Sequence, residues 1–358
     1  MSDKPQLIII NTGSTSTKIA RFIGGNLLEM ETIQYSNAEL AACSTINDQI
    51  PLRRAGFLKF LADKKIYWEK VSLLVSRGGI GRPTPAGAYL IDEAMCRELL
   101  SGKFGTHPSA LGPAIALDLA REYGIKSIVI DPPSTDELQE LARISGLPEI
   151  TRKSAFHALN QKTAARRLAR ELGKKYEDIN CIVAHLGGGI TVGAHQKGLV
   201  IDCTNGLSEG PFTPERAGAL PTTDLLHLAF SGEQKNPLML KIVGRGGMTA
   251  YLGTKDARMV ETMITGGNEK AKLVYEAMAY QIAKEIGSMS AVLEGNLSGI
   301  ILTGGLAKSD MLTAWIKKRT QFIAPVFVYP GEDEMLALAE GGLRILNGEE
   351  ELKKYPAD

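Results

Sequence analysis

Apolar residues in this chain come in short runs that end on glycine-rich turns. Leu7–Ile10 runs into Asn11-Thr-Gly-Ser-Thr-Ser-Thr-Lys18, after which Ile19, Ala20 and Phe22 resume ahead of Gly24-Gly25. A buried-type run, a tight polar turn and a second run predict strand, turn, strand. Cys181–Ala184 repeats the device: it meets His185-Leu-Gly-Gly-Gly189, and then Ile190, Val192 and Ala194 alternate with Thr191, Gly193 and His195. The two segments align without gaps, Asn11 on His185, Gly13 on Gly187 and Thr17 on Thr191. A match spaced by about half the chain predicts two similar domains, each opening with a β-hairpin whose turn is rich in glycine. A third run, Gly299-Ile-Ile-Leu-Thr, ends on Gly304-Gly305-Leu306.

Between these runs the period changes to that of helices. Leu111–Tyr123 is one, and Ser154–Leu172 is a second, with Lys162, Arg166, Arg167 and Arg170 on one face. Glu269–Leu293 is the longest, with apolar Leu273, Ala277, Tyr280, Ile286 and Leu293 near helical spacing. Leu336–Leu346 reads as a last helix. Strands alternating with helices predict an α/β fold. The expected division is residues 1–150 with a returning tail, 335–358, and a second domain over 151–334.

Composition then narrows the classes. The 358 residues are enough for two domains, with 44% apolar and 23% charged positions. A net charge of +1 offers no global field for nucleic acid or anionic membrane, so neither is an expected partner. No apolar run reaches 18 residues, and Met1–Gln6 is polar without a signal-peptide core, so a cytoplasmic protein is expected. Cys43, Cys96, Cys181 and Cys203 have no ligand-like spacing and are expected to be plain thiols.

The first turn carries the best local chemistry. Its backbone N–H groups, with Ser, Thr and Lys side chains, suit a phosphate; a plain polar β-turn is as good a reading of the motif alone. Neither a G-x-x-x-x-G-K-[ST] loop nor a G-x-G-x-x-G fingerprint is present. The triple glycine at 187–189 removes Cβ atoms where a ligand comes close, or marks a bulged hairpin. His107, His157 and His185 sit beside turns, and no H-x-x-x-H or H-E-x-x-H spacing points to zinc. Arg77-Gly-Gly-Ile-Gly-Arg82-Pro sets guanidinium groups on a rigid turn suited to a carboxylate or phosphate, or simply solvated. Asp131 ends the run Ile128–Ile130, where α/β sites lie or where a helix is capped. Glu332-Asp-Glu334 precedes the last helix, as an acidic helix start or a Mg²⁺ ligand.

Taken in order, these pieces resemble the acetokinase family of carboxylate kinases, within the acetate and sugar kinase, Hsp70 and actin superfamily. "IINTGSTSTK" is similar to the family's opening, "FH" at 156–157 to its active-site histidine segment and "HLGGG" to its second phosphate loop. Thr106-His107-Pro108, Asp131, Gly210-Pro-Phe-Thr-Pro214 and Asp333-Glu334 follow in family order. "SRGGIGRPTPAGAY" and "GPFTPERAG" lean to the butyrate kinase branch. Two family arginines are missing: one maps onto Pro221, and Arg77 stands where the family has a second histidine. Arg77 and Arg216 are the candidate replacements.

The resemblance implies two ribonuclease H-like domains with an ATP cleft between them, and reversible phosphorylation of butyrate or isobutyrate by ATP. Asn11, Ser14, Ser16 and Lys18 would surround the transferring phosphoryl group and Mg²⁺, and His157 and His185 would donate to its oxygens. His107, with Arg77 and Arg216, would meet the acid; Asp131 would orient groups or Mg²⁺, and Glu334 a metal-bound water. Gly187, Gly188, Gly189, Asp256, Arg258, Gly304, Gly305 and Leu306 would contact the nucleotide. A homo-oligomer, dimer or larger, is implied through the second domain. Acetate or propionate kinase stays open, with pocket volume as the discriminator. So does an Hsp70-like or actin-like nucleotide module, which binds ATP without carboxylate-dependent turnover.

Overall fold

The computed structural model describes residues 4–356, and the chain falls into two compact units: Met1–Thr135 with Asp333–Asp358, and Asp136–Glu332. The strands in chain order are β1 (Gln6–Thr12), β2 (Ser16–Ile23), β3 (Asn26–Gln34), β4 (Val71–Ser76), β5 (Ala88–Leu90) and β6 (Ser127–Ile130), then β7 (Asn180–Leu186), β8 (Ile190–Gln196), β9 (Leu199–Cys203), β10 (Gly299–Gly304), β11 (Val326–Pro330) and β12 (Leu352–Lys353). The first unit's sheet runs β12-β5-β6-β4-β1-β2-β3, and the second unit's runs β11-β10-β7-β8-β9. In each, an antiparallel meander (β1-β2-β3, β7-β8-β9) continues on the other side of its first strand into two parallel strands (β4 and β6, β10 and β11). That shared order is the ribonuclease H-like one, present twice. β1 and β10 are buried at every position, as strands covered on both faces are.

The two hairpins differ by one residue, which the gapless alignment does not see. Gly13 N–H bonds Ser16 O at 2.8 Å, whereas Gly187 N–H bonds Gly189 O at 3.1 Å. Asn11 therefore pairs with Lys18, and His185 with Thr191. The residue matching Thr191 across the hairpin is Lys18, not Thr17.

The helix at Leu111–Tyr123 forms as expected and ends on Gly124 in the left-handed region. The next begins at Ala158, later than the expected Ser154. Asn205 Nδ2 donates to Lys153 O and Gly206 N–H to Ala155 O, which hold the preceding residues extended along the loop after β9. In the helix Glu269–Val292 the buried stripe is Ala271, Val274, Tyr275, Met278, Ile282, Ile286 and Met289. Leu273 and Tyr280, apolar at helical spacing, lie on the outer face and are 70% and 51% exposed. The last helix, Glu334–Leu346, packs on β1, β4 and β6, with Asp333 Oδ1 accepting from Leu336 N–H at its start.

The division falls after Thr135 because residues 136–150 are tied to the second unit. Leu138 and Ala142 pack with Phe156, Ala158, Val200 and Cys203, and Gln139 N–H bonds Ile201 O. Lys162, 2% exposed, meets Glu137 Oε2 at 2.7 Å. Among the described residues no helix is long and apolar enough to cross a membrane.

Candidate active site

In the first unit, β1 leads into the Gly13–Ser16 turn and pairs Asn11 with Lys18, one pair back from the closing Thr12–Thr17 pair. Asn11 Nδ2 donates to Glu334 Oε2 at 2.8 Å, and Arg77 Nη2 meets the other oxygen, Oε1, at 2.9 Å. The returning helix thus delivers a carboxylate between two residues from strand ends. Arg77 N–H bonds Ile10 O, and its Nε is buried without a partner. An unpaired buried donor is costly and is a common mark of a ligand position. Thr12 Oγ1 bonds Pro108 O at 2.9 Å, which ties the His107 loop to the same strand end. His107 Nδ1 accepts from Ser109 N–H at 3.1 Å, so the neutral ring carries its proton on Nε2. Burial, and then the nearby Arg77 charge, hold its pKa below the ordinary histidine value. At neutral pH His107 is therefore an uncharged donor.

In the second unit, His185 ends β7 and is 1% exposed. Its ring stacks on that of His157, with centroids 4.0 Å apart and planes at 22°. His157 precedes the helix Ala158–Glu171, and its Nδ1 lies 2.9 Å from Thr191 Oγ1. Gln161 Nε2 donates to the same hydroxyl at 2.8 Å. His185 Nε2 sits 3.2 Å from Glu332 Oε1, while its Nδ1 is buried without a partner. The sequence singled out both histidines and the acidic stretch Glu332-Asp-Glu334, but gave no sign of the His185–Glu332 contact, of Gln161 or of the stack.

The second turn is braced from outside itself. Thr213 Oγ1 donates to Gly188 O at 2.7 Å. The Arg216 guanidinium lies so close to Gly189 that a Cβ there would meet Nη1 at 2.5 Å and displace it. Arg216 Nη1 also bonds Gly206 O at 2.7 Å, and burial lowers its pKa. Expected at the acid, Arg216 instead sets its charge against the glycine turn. Gly304, with φ at 94°, backs onto β7: a Cβ would lie 2.4 Å from Leu186 O. The third turn is thereby locked beside the second, and Gly304 and Gly331 exchange backbone bonds.

Residues 147–318 match the acetokinase family model. Butyrate kinase 2 from Clostridium acetobutylicum is 48% identical over 354 residues, 98% of this chain and 99% of that protein. The chain belongs to the acetokinase family. Its fold is that of acetate kinase from Porphyromonas gingivalis (TM-score 0.79, 19% identity, 96% of this chain and 100% of that one). It is also that of a propionate kinase from Francisella tularensis (TM-score 0.73, 17% identity, 94% and 98%).

Within this acetokinase some expected site residues stand apart from these clusters. Asp131 is 2% exposed, and its backbone φ of 40° is unusual for a residue with a side chain. Its Oδ1 accepts from Gly87 N–H at 2.8 Å and its own N–H bonds Gly87 O at 3.0 Å, so it clamps the Gly87 turn. Asp256 and Arg258 bond each other, Oδ2 to Nη2 at 2.9 Å, at the start of the helix Ala257–Thr265. Arg258 is 90% exposed along its side chain, and neither residue bonds a glycine turn. Ser14 and Lys18 are exposed, Ser16 is half-buried, and a Cβ on Gly305 would meet nothing within 4 Å. Leu306 packs against the core of the second unit. Among the described residues, no group of three or more His, Cys, Asp or Glu side chains is placed to hold a metal by itself.

Proposed function

We propose that this chain is a butyrate kinase: it transfers a phosphoryl group from ATP to butyrate, isobutyrate or a similar short acid, reversibly, giving acyl phosphate and ADP. The observation that carries this reading is the end-to-end 48% identity with a butyrate kinase. The paired histidines and the glycine turns supply a chemical rationale. The acceptor is a carboxylate, ionised at pH 7 because its pKa is about 4 to 5, so no general base is needed. The task is to bring two anions together and to stabilise charge on the three equatorial oxygens in flight. Fixed N–H donors do this without reorganisation. Asn11, Lys18, Arg77, His157 and His185 take that role. Arg77 Nε, buried and unpartnered, is a donor left for it, and His185 would donate through Nε2, which the Glu332 carboxylate keeps protonated. His107, a neutral donor beside Arg77, serves the acid. Arg216 and the turns at Gly187–Gly189 and Gly304–Leu306 serve the nucleotide, with Asp256 and Arg258 at its outer edge.

Mg²⁺ needs only one or two protein carboxylates and keeps several waters. Glu334 fits that use, since each oxygen takes one bond from Asn11 or Arg77 and keeps a lone pair for a metal-bound water. Asp131, closed onto Gly87, fits a structural use better. When bound, the ion would offset phosphate charge. Changing Glu334 to Gln keeps the shape but drops the carboxylate charge. We expect kcat to fall about tenfold, with a higher Mg²⁺ concentration for half-maximal rate, read by titrating the metal at fixed ATP. An unchanged Mg²⁺ requirement would remove Glu334 from the metal's surroundings.

The outward Leu273 and Tyr280, with Phe230 at 86% exposure, support a homo-oligomer formed through the second unit, and ATP with a short acid as substrates favours a cytoplasmic setting. The direct test of function is ATP consumption with Mg²⁺ and carboxylates from acetate to isovalerate, with acyl phosphate trapped as hydroxamate. Hydroxamate with butyrate or isobutyrate well above acetate is expected. Acetate as the best substrate would reassign the chain to acetate kinase, and ATP binding with no hydroxamate would leave a nucleotide-binding module.

A further inference from the structure

Beneath the first turn lies a guanidinium that no part of this reaction uses. Arg53, on the helix Ile50–Asp63, is 0% exposed. An arginine has five N–H groups. Here they make five bonds: Nε and Nη2 to Gln49 Oε1 (3.1 and 2.8 Å), Nη1 to Ser16 O (2.9 Å) and Thr17 Oγ1 (3.1 Å), and Nη2 to Ser14 O (3.2 Å). The ring of Tyr35 covers it at 4.8 Å. Every acceptor is neutral, and among the described residues no carboxylate pairs with it. Burial accordingly lowers its pKa. A buried charge that is hydrogen-bonded but has no countercharge is unusual, because its desolvation is only partly offset.

The bonds also set the direction of the turn. In a planar trans peptide the carbonyl and the following N–H point in opposite senses. Arg53 draws Ser14 O inward, so the N–H of Thr15 faces away from it. Ser16 O is held by Arg53 and by Gly13 N–H, and Thr15 O by Tyr35 N–H at 2.9 Å. The carbonyls of Ser14, Thr15 and Ser16 are thus all engaged, while Ser14 and Thr15 donate their N–H groups to no backbone acceptor. Outward N–H groups over a buried cation make an anion site.

We infer that Arg53 is a positioning residue for phosphoryl transfer: it aims the Gly13–Ser16 turn at the phosphate and supplies the charge that the bound anion completes. This rests on the reading that the turn receives the transferring phosphoryl group. Gln49 gives the decisive variant. Q49E keeps the acceptor that binds Nε and Nη2, sits at a helix start where a negative charge is favoured, and cancels the charge of Arg53.

The experiment measures Tm, calorimetric binding of ATP, pyrophosphate and adenosine, and kcat and KM with butyrate, for wild type, Q49E, R53K and R53Q. Q49E should melt at or above wild type yet bind ATP and pyrophosphate about tenfold more weakly, a change of 1.4 kcal/mol, with adenosine unaffected. R53Q should lose about a hundredfold in kcat/KM, and R53K should recover part of it by restoring the charge. Wild-type affinity for both phosphates in Q49E, with kcat within threefold, would overturn the inference. So would an R53Q whose losses on ATP and adenosine are equal, which is the mark of a merely structural residue. If R53Q does not fold, Q49E decides alone. A wild type that binds ATP but phosphorylates no carboxylate would sink the kinase reading, while the phosphate affinities would still judge Arg53.

Discussion

Changing His185 to alanine lowers kcat for carboxylate phosphorylation by about a thousandfold, the upper range for loss of one fixed donor to a charged transition state. The magnitude follows from how the ring is held. His185 is 1% exposed and clamped between the His157 ring at 4.0 Å and Glu332 at 3.2 Å, whose carboxylate keeps the ring proton on Nε2. A donor fixed in a dry setting gains most from charge that appears only in the transition state. The effect should therefore fall on kcat, with KM for butyrate changed less than threefold. Truncation also leaves a gap beside His157 and frees Glu332, so about 2 kcal/mol of stability should go with it. Initial rates at 25 °C, on protein shown to be folded by circular dichroism, separate the two effects. A kcat within threefold of wild type would remove His185 from the chemistry and leave it a packing residue.

A large loss of stability is expected from Gly304→Ala. The residue closes β10, the strand between β7 and β11, and its φ of 94° is poorly tolerated by any side chain. The added Cβ would stand 2.4 Å from Leu186 O and 2.6 Å from its carbonyl carbon. Both obstacles are backbone, so no rotamer change relieves them. Strained dihedrals and overpacking each cost about 1 to 3 kcal/mol, so about 4 kcal/mol together. For a unit of this size that lowers Tm by about 10 °C. Since Leu186 adjoins Gly187, the same shift should disturb the second turn, and ATP affinity should fall even in the cold. Differential scanning calorimetry and ATP titration test both points; a Tm within 2 °C of wild type would contradict the packing argument.

How much of this the sequence could show depends on the range of the forces involved. The hairpins at Asn11–Lys18 and His185–Thr191 were legible because a buried run followed by small residues is a local signal. The one-residue difference between them was not, since it is set by whether Gly13 reaches Ser16 or Gly187 reaches Gly189. The helix expected from Ser154 starts at Ala158 because Asn205 and Gly206, far along the chain, capture the carbonyls of Lys153 and Ala155. Leu273 and Tyr280 share the spacing of a core face, yet the partner surface selects Val274, Met278 and Ile282 instead. At the site, His157, His185 and Glu334 announced themselves by their settings. Arg53 did not, and Glu332 stood out only as part of an acidic stretch, because only tertiary structure shows that one lies under a turn and the other beside a histidine.

The returning helix also bears on how the protein is made. Asn11 and Arg77 leave the ribosome long before Glu334, which binds both. Asp136–Glu332 is one contiguous stretch with a core of its own. The first unit must wait for the helix Glu334–Leu346 to cover β1, β4 and β6. The Asn11–Arg77–Glu334 cluster is therefore assembled only after the second unit has been synthesised, and a chain cut short before Glu334 lacks it.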